Sequence, residues 1–202
     1  VKLEEYRVLF LIAIVIVALL VASPALNRLL VYPRTEFFTE LWLLGPTHMA
    51  ENYPFNITRR RSYSVFLGIA NQLGYTAFYS VEVKFRNVTQ SEPTSFGSPS
   101  HQTPSILPSI YNITAFVADQ STWELHLTFS FDYTNSTLST VQMHNLTLNG
   151  VLLDIEYCTI AWDSQIRGFF GYLFFEAWIY NRTTSDFKYH DRFLSLRLNM
   201  TI

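Results

Sequence analysis

Strict alternation of apolar and polar residues over residues 122–132, TWELHLTFSFD, constrains the fold of this chain more than any other sequence feature. The apolar positions are Trp123, Leu125, Leu127, Phe129 and Phe131. Successive side chains of a β-strand point to opposite faces of a sheet, so a period of two predicts a strand with one buried face. The same alternation recurs in VEVKFR at residues 81–86 and in LSLRLNM at residues 194–200. We therefore expect a domain built from half-buried strands.

Turn signals separate further apolar runs of strand length. We predict strands at residues 36–44, 63–70, 77–86, 113–118, 122–132, 139–148, 151–161, 172–180 and 194–200. Asn149-Gly150 is a strong signal for a tight hairpin, and NQLG at residues 71–74 suits a second turn. Residues 90–110, which contain four prolines and six serines, are predicted to form a long surface loop. Short strands between turns are typical of an all-β fold, and we predict an immunoglobulin-like β-sandwich.

A run without charged or polar side chains, VLFLIAIVIVALLVA, extends from Val8 to Ala22. About twenty apolar residues suffice to cross a bilayer core. A signal peptide is the alternative, because Val21-Ala22-Ser23 has the small residues of a cleavage site, but Pro24 directly after it disfavours cleavage. We therefore predict one N-terminal transmembrane α-helix at residues 8–30, retained as an anchor in the lipid bilayer, with residues 1–7 as a short cytoplasmic end.

Seven Asn-x-Thr triplets follow this run, each with a middle residue other than proline. Their asparagines are Asn56, Asn87, Asn112, Asn135, Asn145, Asn181 and Asn199. Such triplets are acceptors for N-linked glycans, which attach to the outward surface of exported domains. The predicted location is the cell membrane, with a single pass, the N-terminus inside, and residues 31–202 forming an extracellular glycosylated β-sandwich domain.

Charge and cysteine content exclude several classes of protein. A formal net charge of -2 provides no positively charged footprint for nucleic acid. Cys158, the one cysteine, lies in the apolar run DIEYCTIAW and is predicted to be a buried small hydrophobe. The five histidines show no zinc-type spacing, and no glycine-rich phosphate loop occurs. We predict no metal, no cofactor and no catalytic residues.

Glu40 and Glu176 are the one pair of carboxylates that invites a catalytic hypothesis, because FFTELWLLG and LFFEAWIYN both contain Phe-x-Glu-x-Trp. Two such glutamates could act as the acid and the nucleophile of a glycoside hydrolase. The alternative, which we favour, is that both lie on strand faces beside aromatic residues and pair with arginines such as Arg192 or Arg197.

An interval without glycan acceptors separates Asn145 from Asn181 and is rich in aromatic residues. Both faces of its predicted strand are apolar, so one face needs a cover, which is either the proline-rich loop or a partner protein. The candidate partner surface consists of Phe38, Trp42, Trp162, Tyr172, Phe174, Trp178 and Tyr180.

Four segments resemble an uncharacterised archaeal membrane-protein family, the domain of unknown function numbered sixteen-sixteen. They are TEFFTELWLLGPTHMAENYPFNI, YSVFLGIANQLGYTAFYSVEVKFRN, FFEAWIYN and FLSLRLNMT. The resemblance implies an archaeal, membrane-anchored, outward-facing β domain, and it implies no activity. Relatives carry several spans before this domain, whereas this sequence shows one.

These features predict a non-enzymatic archaeal cell-surface glycoprotein. We expect it to act as an accessory or interaction subunit of an envelope or membrane complex, such as an S-layer or a larger membrane assembly. A pilin-like filament subunit is an alternative, because a pilin also joins an apolar helix to a glycosylated β domain. An envelope glycoside hydrolase that uses Glu40 and Glu176 is a further alternative.

Overall fold

The computed structural model describes residues 6–29, 36–94 and 102–202, and the chain divides into two compact units, Val1–Phe37 and Phe38–Ile202. Helix α1, Arg7–Leu29, belongs to the first unit. In these described ranges no helix is both long enough and apolar enough to cross a membrane. Three parts of the predicted organisation lie outside the described ranges: residues 1–5 of the cytoplasmic end, residue 30 at the end of the transmembrane helix, and residues 31–35 at the start of the extracellular domain.

The second unit is mainly β, which confirms the predicted class. Its strands are β1 Phe38–Leu44, β2 Asn56–Thr58, β3 Tyr63–Gln72, β4 Ala77–Asn87, β5 Tyr111–Val117, β6 Ser121–Thr137, β7 Thr140–Leu148, β8 Val151–Asp154, β9 Thr159–Asp163, β10 Gly168–Asn181 and β11 Asp186–Thr201.

The strands form one connected, curled sheet. One arm follows the order β1-β3-β6-β7, with β8 and β9 along the free edge of β7. The other arm follows the order β5-β4-β10-β11-β2. Strand β9 joins the arms because it pairs with both β7 and β10. All pairs are antiparallel except β11 with β2.

The two arms face each other across a single hydrophobic core. The Phe85 ring of β4 lies 5.1 Å from the Phe131 ring of β6, and both side chains are buried. The alternation predicted for residues 122–132 is confirmed at its centre, where Leu127, Phe129 and Phe131 are buried between partly exposed polar neighbours. The alternation therefore decides which face of each strand enters the core.

The run at residues 151–161 is predicted as one strand but forms two, β8 and β9. Asp154 accepts a hydrogen bond from the Glu156 backbone N–H at 2.8 Å, and a tight turn then brings the Cys158 N–H to the Ile155 carbonyl at 3.0 Å. Both pieces still pair with β7. Strand β2 has only three residues and carries no alternation long enough to be recognised in the sequence.

The hairpin at Asn149-Gly150 is confirmed. Both residues have positive φ, 48° and 83°, as a type I′ turn requires, and they connect β7 to β8. The turn at residues 71–74 is present as well, with Gly74 at a φ of 81°. It carries the chain from β3 in one arm to β4 in the other, so it is a crossing between arms and not a hairpin.

Candidate interaction surface

The outer face of β4 and β10, opposite the core, is sealed at its centre. Lys84, Arg86, Phe174 and Glu176 point to this face, and all four are buried. The described parts of the loop predicted at residues 90–110 lie over them through Ser91, Thr94 and Ser105. The chain therefore supplies its own cover for this part of the face, and residues 95–101 of the predicted loop lie outside the described ranges.

A buried ion pair holds the loop against this face of the sheet. The Lys84 ammonium lies 2.7 Å from the Glu176 carboxylate and 3.1 Å from Glu82. Lys84 also donates to the Ser105 carbonyl at 3.1 Å, and the Ser105 backbone N–H donates to Glu176 at 2.7 Å. Because a buried charge is tolerated only when it is paired and hydrogen-bonded, this cluster, the Lys84–Glu176 latch, fixes Ser105 against the sheet.

Arg86 makes a second attachment nearby. Its guanidinium lies 4.2 Å from the centre of the Tyr172 ring, donates to the Asn87 and Gln90 carbonyls, and pairs with Glu92. The sequence places Lys84 and Arg86 on a polar strand face, which is correct. They are nevertheless buried, because the loop covers the face to which they point.

The far end of the same face carries four aromatic rings in a row across β5, β4, β10 and β11. We call Phe116, Phe78, Tyr180 and Phe187 the aromatic ladder. Phe78 and Phe116 stack with ring centres 4.2 Å apart and planes 12° apart, and Phe187 lies 5.2 Å from Phe78 and 5.5 Å from Tyr180. The register pairs Phe78 with Phe116 and Tyr180 with Phe187. Neighbouring rings of the ladder therefore pack across adjacent strands.

The aromatic ladder is exposed to solvent, whereas the centre of the same face is covered by the loop. Phe116 is 72% exposed and Tyr180 is 36% exposed. Phe78, Phe116 and Tyr180 line a groove of about 830 Å³, whose polar lining includes Arg182 and Lys188. The groove therefore has an apolar floor and a charged rim.

The predicted partner surface does not form one patch. Phe174 is 1% exposed under the loop, so its assignment to a partner surface is wrong. Tyr172 is half-buried beneath Arg86. Trp178 is half-buried and packs edge-on against Tyr189 at 5.7 Å, and its buried indole N–H has no hydrogen-bond partner among the described residues. Tyr180 belongs to the open ladder.

The remaining three predicted residues lie on other strands. Phe38 is exposed on β1, and Trp162 is exposed on β9, where it packs edge-on against Phe169 at 5.0 Å. Trp42 of β1 lies over Gly68 of β3 so closely that a Cβ atom at Gly68 would meet the indole at 2.2 Å. Trp42 therefore fills the space above a glycine within the sheet.

Sequence reasoning missed Phe78, Phe116 and Phe187. Phe116 occupies one of the alternate positions of its strand that otherwise hold polar residues. An aromatic residue at such a position could have been recognised in the sequence as solvent-facing. The row across four strands depends on sheet pairing, which the sequence of one chain does not provide.

Glu40 and Glu176 do not form a pair. Glu40 is exposed on β1, which pairs with β3, whereas Glu176 is fully buried on β10 and bound to Lys84. The expectation that Arg192 or Arg197 pairs with Glu176 is wrong, because the loop-covered face brings Lys84 to it instead. Arg197 lies over the Phe170 ring at 4.8 Å.

Other reactive side chains serve the fold. Cys158 is buried as predicted, and burial raises the pKa of its thiol to about 12. The His190 ring lies 2.7 Å from the Thr39 hydroxyl, which lies 2.8 Å from the Tyr79 hydroxyl, and burial lowers the pKa of His190. Within the described residues no cluster of His, Cys, Asp or Glu could hold a metal ion.

The seven acceptor asparagines differ in exposure. Asn56, Asn112 and Asn135 are exposed, whereas Asn87, Asn145, Asn181 and Asn199 are half-buried. Asn87 donates its amide N–H to the Thr159 carbonyl at 2.9 Å, and Asn199 donates its own to the Asn56 side chain at 2.9 Å. Asn181 lies on the lining of the groove beside the ladder.

A sequence profile described as "Domain of unknown function (DUF1616)" matches residues 33–143. The chain belongs to this family. The DUF1616 match covers β1 to β6 and the first four residues of β7, but it does not include Tyr180 or Phe187 of the ladder. No curated protein matches the chain.

Two solved structures of the β-glucosidase from Listeria innocua have low structural similarity to this chain. The complex with isofagomine has a TM-score of 0.41 and 9% sequence identity, covering 84% of this chain and 17% of that one. The complex with glucose has a TM-score of 0.31 and 10% identity, covering 83% and 17%. The chain thus spans about a sixth of the length of these enzymes.

Proposed function

We propose that this chain is a non-enzymatic, membrane-anchored archaeal cell-surface glycoprotein. It acts as an accessory or interaction subunit that binds another protein of an envelope or membrane complex, such as an S-layer or a larger membrane assembly. The aromatic ladder supports this proposal, because it stays open at the end of a face that the chain seals elsewhere with its own loop.

The chemistry of the ladder suits a protein partner. Aromatic rings bury a large apolar area with few rotatable bonds, and they dominate the centres of protein interfaces. Arg182 and Lys188 lie beside the rings, so the partner surface that fits is apolar with an acidic rim. An exposed aromatic surface with basic residues beside it, on the proposed extracellular domain, favours binding over catalysis.

The remaining parts of the proposal rest on the sequence. The charge-free run Val8–Ala22 is proposed as the membrane anchor, and the Asn-x-Thr triplets support a location of the β domain outside the cell. We further propose that the curled sheet is an immunoglobulin-like sandwich, since its two arms share one core.

Affinity isolation from an archaeal host in mild detergent tests the proposal, with Phe116→Ser and Phe78→Ser compared with the wild-type chain. We expect a stoichiometric protein partner that is lost with either substitution. Leu152→Ser is the control, because Leu152 is 68% exposed on β8 and lies away from the ladder. A clean monomer, or a partner retained equally by all variants, would count against the proposal.

The same preparation separates the two alternatives. A filament subunit would appear as fibres when sheared surface material is viewed by electron microscopy. A hydrolase would release sugar from envelope glycans and lose that activity in Glu40→Gln. Glu40 is the residue to replace because it is exposed, whereas any change at Glu176 would also disturb the Lys84–Glu176 latch.

A further inference from the structure

Two of the seven acceptor triplets lie side by side in the fold although they are far apart in the chain. Strand β2 consists of Asn56, Ile57 and Thr58, and it pairs in parallel with the end of β11. The register places Asn199 opposite Asn56, Met200 opposite Ile57 and Thr201 opposite Thr58. The acceptor asparagines and the acceptor threonines are thus matched one to one.

The hydrogen bonds between the triplets are unequal. The Asn199 amide nitrogen donates to the Asn56 side-chain oxygen at 2.9 Å, and the Asn199 oxygen accepts from the Phe169 backbone N–H at 3.1 Å. The Thr201 hydroxyl donates to the Ile57 carbonyl at 2.9 Å. Both polar side chains of the β11 triplet are therefore engaged in holding β2.

Within the described residues, the reactive groups of the β2 triplet are less engaged than those of the β11 triplet. Asn56 is exposed, and among the described residues its side chain accepts the bond from Asn199 and its amide nitrogen makes no hydrogen bond. Thr58 is also exposed, and its hydroxyl makes a long contact of 3.4 Å with Thr201. Asn199 is half-buried, and a Cβ atom at Gly168 would meet its oxygen at 2.6 Å.

N-glycosylation forms a bond between the asparagine amide nitrogen and C1 of a sugar carried on a lipid phosphate. The bond from C1 to the phosphate oxygen breaks, the lipid phosphate leaves with that electron pair, and one amide proton is lost to a base. The amide nitrogen and the threonine hydroxyl must both reach the transferase. A bulky glycan on Asn199 would also occupy the space where β2 pairs with β11.

We propose that the paired triplets form a single modification site, in which Asn56 carries the N-linked glycan and Asn199 stays unmodified as the amide that fastens β2 to β11. The inference rests on the proposed function, since it requires export to a glycosylating compartment. Asn199 therefore serves the fold, although its triplet has the sequence of a glycan acceptor.

Glycopeptide mass spectrometry of the full chain from an archaeal host tests this proposal. We expect glycan at Asn56 and none at Asn199, with the exposed acceptors Asn112 and Asn135 as internal references. Thr58→Val should remove the glycan from Asn56 without transferring it to Asn199, because Asn56 and its bond to Asn199 remain. Glycan at Asn199, or a bare Asn56 beside occupied references, would overturn the inference alone. If the references are bare as well, the proposed export also fails.

A stability measurement tests the structural role of Asn199 independently of glycan. Asn199→Ala removes two hydrogen bonds and should lower Tm by roughly 5 °C in unglycosylated protein, whereas Asn135→Ala, at an exposed acceptor whose side chain has no hydrogen bond among the described residues, should leave it unchanged. An unchanged Tm for Asn199→Ala would show that the amide does not fasten β2 and would contradict the proposal.

Discussion

Phe174 and Tyr180 lie on the same face of β10 and have opposite environments. Phe174 is 1% exposed beneath the loop, whereas Tyr180 is 36% exposed in the aromatic ladder. The difference does not come from the strand, because both positions follow the same alternation. It comes from the described part of the loop, which the Lys84–Glu176 latch holds over the centre of the face.

This comparison separates a structural from a functional use of aromatic residues. Aromatic rings at the covered centre pack against the chain's own loop, so they need no partner protein to bury them. Rings at the open end leave apolar area exposed to water, which soluble surfaces usually limit. A patch that the described residues leave exposed, on a face that is otherwise covered, is therefore the stronger candidate for binding.

Lys84→Met should have the largest effect on the sealed centre. It leaves the fully buried Glu176 carboxylate without its cation, and breaking a buried ion pair costs about 3–5 kcal/mol. Denaturant unfolding of the full chain measures the loss, and hydrogen exchange should show the Ser105 amide, which donates to Glu176, becoming less protected.

The double variant Lys84→Met/Glu176→Leu provides the control. Replacing both charges with apolar groups removes the unpaired carboxylate, so most of the lost stability should return. If Lys84→Met is as stable as wild type, the latch does not hold the loop and the comparison between the two ends fails.

Phe174→Ala and Phe116→Ala form the next contrast, with an intermediate effect. Phe174 is enclosed, so its truncation leaves a cavity and should cost about 3 kcal/mol. Phe116 is 72% exposed and stacks on Phe78, so its truncation should cost less than about 1 kcal/mol. Thermal unfolding of both variants under identical conditions measures the difference.

Equal losses for the two variants would contradict the distinction between sealed and open ends. A large loss for Phe116→Ala alone would indicate that the ladder is part of the core. The expected result leaves Phe116 replaceable without unfolding, which the binding experiment with Phe116→Ser requires.

Local sequence patterns predicted the strands but not what covers them. Period-two alternation located β4, β6 and the end of β11, and Asn149-Gly150 located a hairpin, since both depend on neighbouring residues. Lys84 was correctly placed on a polar face. Its burial depends on Ser105, which is close in space through a loop whose sequence has no periodicity.

The ladder and the paired triplets could not be predicted for the same reason. Phe78 and Phe116 meet only because β4 pairs with β5 in one register, and a shift by one residue would place Phe116 in the core. Asn56 and Asn199 meet through a three-residue parallel strand, which is too short to have a pattern. Pairing between distant segments follows from the whole fold.

Tyr189 gives the smallest and most specific test, because it reports on the sealed centre through its hydroxyl. Burial, and then the negative charges of Glu176 and Asp191, raise the pKa of Tyr189 above its ordinary value of 10.0. Above pH 10 the unfolded chain loses this proton while the folded chain keeps it. Stability should therefore be unaffected by Tyr189 at neutral pH and should fall as pH rises above 10.

Tyr189→Phe should reduce this alkaline loss, because the phenylalanine has no proton to lose, and unfolding measured at pH 8 and pH 11 checks it. Tyr180→Phe in the open ladder is the matched control. If the stability of the two variants falls equally between pH 8 and pH 11, the proposed difference in environment is contradicted. A smaller alkaline loss for Tyr189→Phe alone would show that this face is closed at Tyr189 and would leave the ladder as the part of the face that a partner can reach.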